Sequence, residues 1–316
     1  MGITDEKYEE KIKQEAKYWG KHYESEINQG KLPDVRLRKD ISWKTHAMWD
    51  NPIINDITRG KELKFIITEA SKNGGGRVLD LGCGMGALSL EIARNGMNVD
   101  GIDVSEKAIE LAKYYLMKQP CKEGFGSVNY MVGDLNKVKL KSNTYDAVVC
   151  WDALHHILNL KHLIAEAKKS LKPGGKFIVL DHIGLQRKNK IFILVIRGIL
   201  LLLPFYTELT YIEKIKKVIK FLLRQSSEER CIKNNNYVSP FEDVSQEEIV
   251  KTIKRNFHII NHWTLLSFCA SIVTHVNVKN RKSLYKIVSF LKTIDDLLIK
   301  FHVLRGEYMF TYAEKR

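Results

Sequence analysis

Between Arg77 and Leu88 a short apolar run, Val78-Leu79-Asp80-Leu81, gives way to glycine at every second position, Gly82, Gly84 and Gly86. An amphipathic segment from Leu88 to Ala93 follows. This succession predicts a buried strand, a tight turn and the start of a helix. The same alternation then recurs. Apolar runs at 98–102, 128–132, 147–150 and 176–180 predict further strands, and residues 87–95, 106–118 and 160–171 carry apolar positions at helical spacing. Ser105 is placed to cap the second of these helices, and Pro173-Gly174-Gly175 to end the third. Strands alternating with helices predict an α/β fold, a mostly parallel sheet with helices on both faces.

The flanks follow other rhythms. Over residues 1–30, Tyr8, Ile12, Trp19, Tyr23 and Ile27 recur at helical spacing between charges, which predicts an amphipathic helix with an aromatic face. That face can dock the helix on the main domain, or Trp19 and Tyr23 can help close a ligand site. The pattern breaks around Pro33 and Pro52, a second helix is predicted over 53–71, and Asn73-Gly74-Gly75-Gly76 ends it. After Asp181 an apolar stretch spans 191–206, broken by Arg197 and reaching Pro204; it falls short of the about 20 residues a membrane span needs. Ser245 and Glu248 form a capping box for a further helix. A strand over 257–266, a long amphipathic helix over 284–301 and a last strand over 307–313 close the chain.

The 316 residues are 44% hydrophobic and 28% charged, as in a soluble globular protein, but the net charge is +14. Between Arg187 and Lys233 stand eleven basic and four acidic residues. The excess is mostly scattered lysine without an RNA-binding signature, so a lysine-rich surface is expected, then a contact with an anionic membrane. Cys83, Cys121, Cys150, Cys231 and Cys269 are widely spaced and form no CxxC pair, which predicts neither a disulfide framework nor a zinc site. The charged N-terminus without an apolar run predicts no signal peptide, and a cytoplasmic location fits.

The glycine loop fits two ligand classes. Gly82-x-Gly84-x-x-Ala87 with Asp103 about 20 residues on satisfies a dinucleotide fingerprint. The same residues suit an adenosine ligand without phosphates. Asp80 favours the second, because a carboxylate at the mouth of the first strand repels a pyrophosphate and suits an ammonium group. Gly133-Asp134-Leu135 places a carboxylate and an amide where an adenine edge could be read, and two further strands exceed the plain dinucleotide set.

The runs VLDLGCGMG, GIDVS, GDL, YDAVVCWDALHHI and LKPGGKFIV, over roughly residues 75–182, resemble the class I S-adenosylmethionine-dependent methyltransferases. They are most similar to the branch containing the ubiquinone and menaquinone biosynthesis enzymes. The resemblance implies a Rossmann-like seven-stranded sheet with helices on both faces, N-terminal helices and an α-helical cap inserted before the sixth strand. It divides the chain into an N-terminal helical segment 1–72, a cofactor core 73–184, a cap 185–244 and a C-terminal part of the core 245–316.

It further implies S-adenosyl-L-methionine as cofactor. Gly82, Cys83, Gly84 and Gly86 would lie against its methionine and ribose, Asp80 near the amino group, Asp103 on the ribose hydroxyls and Val104 under the adenine. Asp134 and Leu135 would read the adenine edge, with Cys150 and Trp151 by the sulfonium centre. His155 and His156, just past the fourth strand, are candidates for a general base that deprotonates a hydroxyl acceptor, or for residues that only shape the helix start. Asp152, Asp181 and His182 rank behind them. A metal held by Asp152, His155, His156 and Asp181 matches no known spacing and is not expected.

The function expected is methyl transfer to a small-molecule acceptor, at a hydroxyl of an apolar, lipid-like or glycan-related metabolite. An RNA or protein methyltransferase is the alternative, followed by an NAD(P)-dependent oxidoreductase. Nucleic acid is not an expected partner, since no Asn/Asp-Pro-Pro-Tyr motif follows the fourth strand. Residues 188–206 could form a lid, a peripheral membrane contact or the face of a homodimer.

Overall fold

A computed structural model describes residues 5–28, 51–119, 123–184, 187–200, 239–241, 246–273 and 280–316, with Glu213, Val276 and Val278 besides. Helices α1 (Asp5–Asn28) and α2 (Pro52–Ala70) precede β1 (Arg77–Leu81), α3 (Ala87–Arg94), β2 (Asn98–Asp103), α4 (Glu106–Met117) and β3 (Ser127–Val132). Then come β4 (Tyr145–Trp151), a short 3-10 turn at Leu154–His156, α5 (Leu160–Ser170), β5 (Leu171–His182) and α6 (Arg187–Leu200). The C-terminal part holds α7 (Gln246–Asn256), β6 (His258–Leu265), α8 (Phe268–Val273), α9 (Arg281–Lys300) and β7 (Tyr308–Glu314).

The strands form one seven-stranded sheet in the order β3-β2-β1-β4-β5-β7-β6. The first five pair in parallel, and β7 runs antiparallel between β5 and β6. This is the Rossmann-like sheet expected from the resemblance. Alternation along the strands feeds two cores. Val78, Val149, Ile178 and Phe310 face the side of α2, α3 and α9, while Leu79, Val148, Cys150 and Val179 face α5 and α7. Both faces are therefore apolar, as parallel strands covered by helices require.

Local signals account for most boundaries. Asn51 accepts from the amides of Ile53 and Ile54 at 3.0 and 3.3 Å, with Pro52 in the first turn of α2, and Ser105 accepts from Ala108 N to cap α4. Pro173-Gly174-Gly175 plays a different part from the one expected. Helix α5 has already stopped at Ser170, and β5 begins at once: Leu171 pairs with Tyr145, the next strand partner is Lys176 opposite Ala147, and the intervening residues bulge with Gly174 at φ +74°. The capping box at Ser245 and residues 201–206 lie outside the described residues.

Helix α9 buries Leu284, Val288, Leu291 and Asp295, one stripe at helical spacing that includes a carboxylate. Asp295 accepts from the amides of Ser267, Phe268 and Cys269 at 2.9, 2.8 and 3.2 Å and so satisfies the start of α8. Burial still raises its pKa to about 6, against those hydrogen bonds. Asp295→Ala strands three buried amides, so a loss of about 3 kcal/mol is expected, read as a lower urea midpoint with an unchanged slope.

Candidate functional site

Because β1 to β4 end at one edge of the sheet, the residues just past their carboxyl ends meet around a single cavity of about 520 Å³. Asp80 near the end of β1 with Gly82, Cys83 and Gly84 after it, Asp103 ending β2 with Val104 after it, Asp134 and Leu135 after β3, and Trp151 ending β4 with Asp152, His155 and His156 after it all line this cavity. Two expected residues do not. Cys150 is fully buried because strand alternation points it into the α5 side of the sheet, and Gly86 backs onto Tyr130, whose hydroxyl donates to its carbonyl at 3.3 Å.

The turn after β1 is closed by two amides, Gly82 and Cys83, that both donate to Ile102 O at 2.8 and 3.1 Å. Gly84 N donates to Asp103 Oδ2 and Ser105 N to Oδ1, both at 2.9 Å, so one carboxylate ties the glycine loop to the start of α4. Gly84 sits at φ +51°, and a Cβ there would stand 2.5 Å from the Tyr23 hydroxyl. The position therefore requires glycine both for its backbone and for its neighbour. Asp80 is buried and accepts from Ser89 Oγ at 2.6 Å. That partner does not offset its burial, which lifts its pKa to about 7. Burial likewise raises Asp103, against the amide bonds from Ser105 and Gly84.

Helix α1 roofs the cavity. Tyr8 Oη donates to Asp134 Oδ2 at 2.5 Å, Tyr23 lies against Gly84, and Ile12, Glu15, Trp19, His22 and Glu26 also line the space. The aromatic face of α1 thus both docks the helix and helps enclose the cavity. Glu15, buried, accepts from Trp19 Nε1 at 2.8 Å and from Ser239 Oγ at 2.7 Å, and stands 3.4 Å from His156 Nδ1. Three distant parts of the chain meet there.

Around β4 two carboxylates have separate partners. Asp181, fully buried at the end of β5, accepts from Ala153 N, Leu154 N and His155 Nδ1 at 3.0, 2.7 and 2.7 Å. It fixes the loop after β4 and holds a proton on Nδ1 of His155, which makes Nε2 the basic nitrogen of that ring. Asp152, at φ +51°, is paired instead with buried Arg59 at 2.7 Å. The Arg59 guanidinium lies 5.4 Å from the Trp151 ring centre and 5.8 Å from that of Tyr308. The four residues weighed as a metal set are thereby split between different partners, and no metal-holding cluster is found among the described residues. His182 lines the cavity with its ring 5.0 Å from Tyr308.

Sequence reading missed Glu15, Arg59, Ser239 and Tyr308. Arg59 left a signal, a charge among the buried positions Ile54, Thr58, Glu62 and Ile66 of α2. Ser239 left none, because only the folded chain brings it to α1.

Residues 79–179 match the family model described as a methyltransferase domain. Among curated proteins, the sterol 24-C-methyltransferase of Saccharomyces cerevisiae is 36% identical over 118 residues, covering 37% of this chain and 30% of that protein. A ubiquinone biosynthesis O-methyltransferase of Dechloromonas aromatica is 35% identical over 126 residues, 40% of this chain and 52% of the other. The chain spans about a third to a half of the length of these curated relatives. A solved geranyl diphosphate C-methyltransferase of Streptomyces coelicolor is 12% identical, with a TM-score of 0.47 over 81% of this chain and 76% of that one. The resemblance carried by the motifs thus holds over the stretch that forms β1 to β5.

Gly84→Ala is expected to cost about 2 kcal/mol through its backbone conformation and the crowding of Tyr23. Combining it with Tyr23→Phe, which removes the crowded hydroxyl, should return part of that loss; a double-mutant cycle in urea reads the coupling.

Proposed function

We propose that the chain is a class I S-adenosyl-L-methionine-dependent methyltransferase that acts on a hydroxyl of a small, apolar acceptor, lipid-like or glycan-related. The observation that carries this reading is the convergence of Asp80, Asp103 and Asp134, from three strand ends, on one cavity whose wall also holds His155 backed by Asp181. The names of the curated relatives, a sterol and a ubiquinone-pathway methyltransferase, support a small apolar acceptor.

The donor set fits the cofactor. Buried Asp80, hydrogen-bonded by Ser89 and without a cationic partner among the described residues, is complementary to an ammonium group. Each oxygen of Asp103 accepts one amide and retains a lone pair for a ribose hydroxyl. Val104 would pack under the adenine, Asp134 and Leu135 would read its edge, and Gly82, Cys83 and Trp151 would line the methionine side. The cavity volume lies inside the range of roughly 300–1,000 Å³ seen for small-molecule sites. The buried Asp80 carboxylate also disfavours a dinucleotide pyrophosphate.

When bound, S-adenosyl-L-methionine would supply an electrophilic methyl group for the acceptor oxygen, with its sulfur as the leaving group that retains the electron pair of the broken carbon–sulfur bond. His155 takes the acceptor's hydroxyl proton on Nε2, while Asp181 orients the ring and stabilises the imidazolium that results. His156, its Nδ1 facing Glu15 and Ser239, is the second candidate for that task. A peripheral membrane contact through residues 188–206 would bring the cavity to an apolar acceptor.

Calorimetry with S-adenosylhomocysteine should show binding and nicotinamide dinucleotides none; the reverse result overturns this reading. The ammonium is held by ionised Asp80, so affinity should fall as pH drops through about 7 and the carboxylate takes up a proton. Asp80→Asn should bind weakly with that pH dependence lost. With a hydroxyl acceptor, His155→Gln should lower kcat by roughly 10²–10⁴ while leaving S-adenosylhomocysteine affinity unchanged.

A further inference from the structure

Helix α9 carries more apolar surface than the core takes up. Opposite its buried stripe it exposes Phe290, Leu297 and Phe301, 65%, 47% and 70% accessible. Their spacing of seven and four residues sets them within about 40° of one another around the helix. Ile287, Ile294 and Leu298, half-buried, join this stripe to the core-facing one. An apolar arc therefore runs from the core out into solvent.

Its far border is basic. Lys282, Lys286 and Lys300 are exposed and lie along one flank of the outer stripe. The exposed acid of the helix, Asp296, is paired with Lys292 at 2.5 Å, and its neighbour Asp295 is buried under α8. Val303, just beyond the helix, is exposed as well. Elsewhere α6, held to α8 and to the backbone of Arg305 through Asn189, exposes Ile191, Leu194 and Val195.

We propose that the outer face of α9 docks on the surface of an anionic lipid bilayer. An apolar stripe edged by lysines is the pattern of a helix lying in a membrane interface: the rings and leucine enter the acyl boundary while lysine stems reach back to the head groups. The charge of the whole chain, +14, has the sign that anionic head groups attract. A second copy of the chain packed antiparallel on this face would set one lysine row beside another. This docking does not depend on which acceptor is methylated, and it involves no residue of the cavity.

The test is co-sedimentation of the full chain with vesicles of phosphatidylcholine alone and of phosphatidylcholine mixed with phosphatidylglycerol. Binding to the mixed vesicles, weakened by high salt, is expected. Lys282→Gln/Lys286→Gln/Lys300→Gln should weaken it by about a hundredfold. Phe290→Ser/Leu297→Ser/Phe301→Ser should weaken it by at least about tenfold. Both variants change exposed side chains, so their thermal midpoints and S-adenosylhomocysteine affinities should match the parent's and separate lost docking from lost folding. Absence of binding to the mixed vesicles, equal binding to both vesicle types, or unaltered affinity in the two variants overturns the proposal. So does a dimer, detected by light scattering, that the serine variant dissolves while vesicle binding persists.

Discussion

Five parallel strands, β3, β2, β1, β4 and β5, hydrogen-bond in register and therefore end at the same edge of the sheet. Residues far apart in the chain, Asp80, Asp103, Asp134, Asp152 and Asp181, are brought to that edge by backbone pairing alone. The apolar alternation that buries both faces of the sheet fixes the register, because a slip of one residue would turn Cys150 and Val149 to the wrong sides. The cavity follows from these two facts before any ligand is considered.

At that edge the carboxylates divide by the partners they already have. Asp181 holds two amides and an imidazole, so its work is to position the loop that carries His155. Asp152 holds Arg59. Asp80 is deeply buried with only the hydroxyl and amide of Ser89 to offset it, which is why its proton affinity rises and why a cationic ligand group would be welcome beside it. Asp103 stands between, committed to two amides yet facing the cavity. Partner count alone does not separate ligand-facing from structural carboxylates: Asp134 lines the cavity while accepting from Tyr8 and Asn136, and Asp152 pairs with Arg59 while its buried Oδ1 has no partner among the described residues.

The N-terminal helix completes the site by contacts of opposite kinds. Tyr8 and Tyr23 reach the groups that would hold the cofactor, whereas Glu15 and Trp19 reach His156 and Ser239.

Much of this was legible in the residues. The glycine loop after β1, the alternating strands and helices, the Ser105 cap and the histidine pair are local signals, set by φ/ψ preferences and side-chain periodicity within a few residues. They determined the α/β fold, the position of the glycine loop and most of the candidate residues around it. Pro173-Gly174-Gly175 misled because a breaker after a helix and a bulge inside a strand use the same residues, and only pairing with Tyr145 and Ala147 distinguishes them. The sequence likewise could not show that Cys150 turns away from the cavity while Trp151 faces it, or that Asp181 belongs to His155 and Asp152 to Arg59. Those choices are made by contacts across 26 and 93 positions of chain, decided by which buried charges find a partner once the sheet has closed.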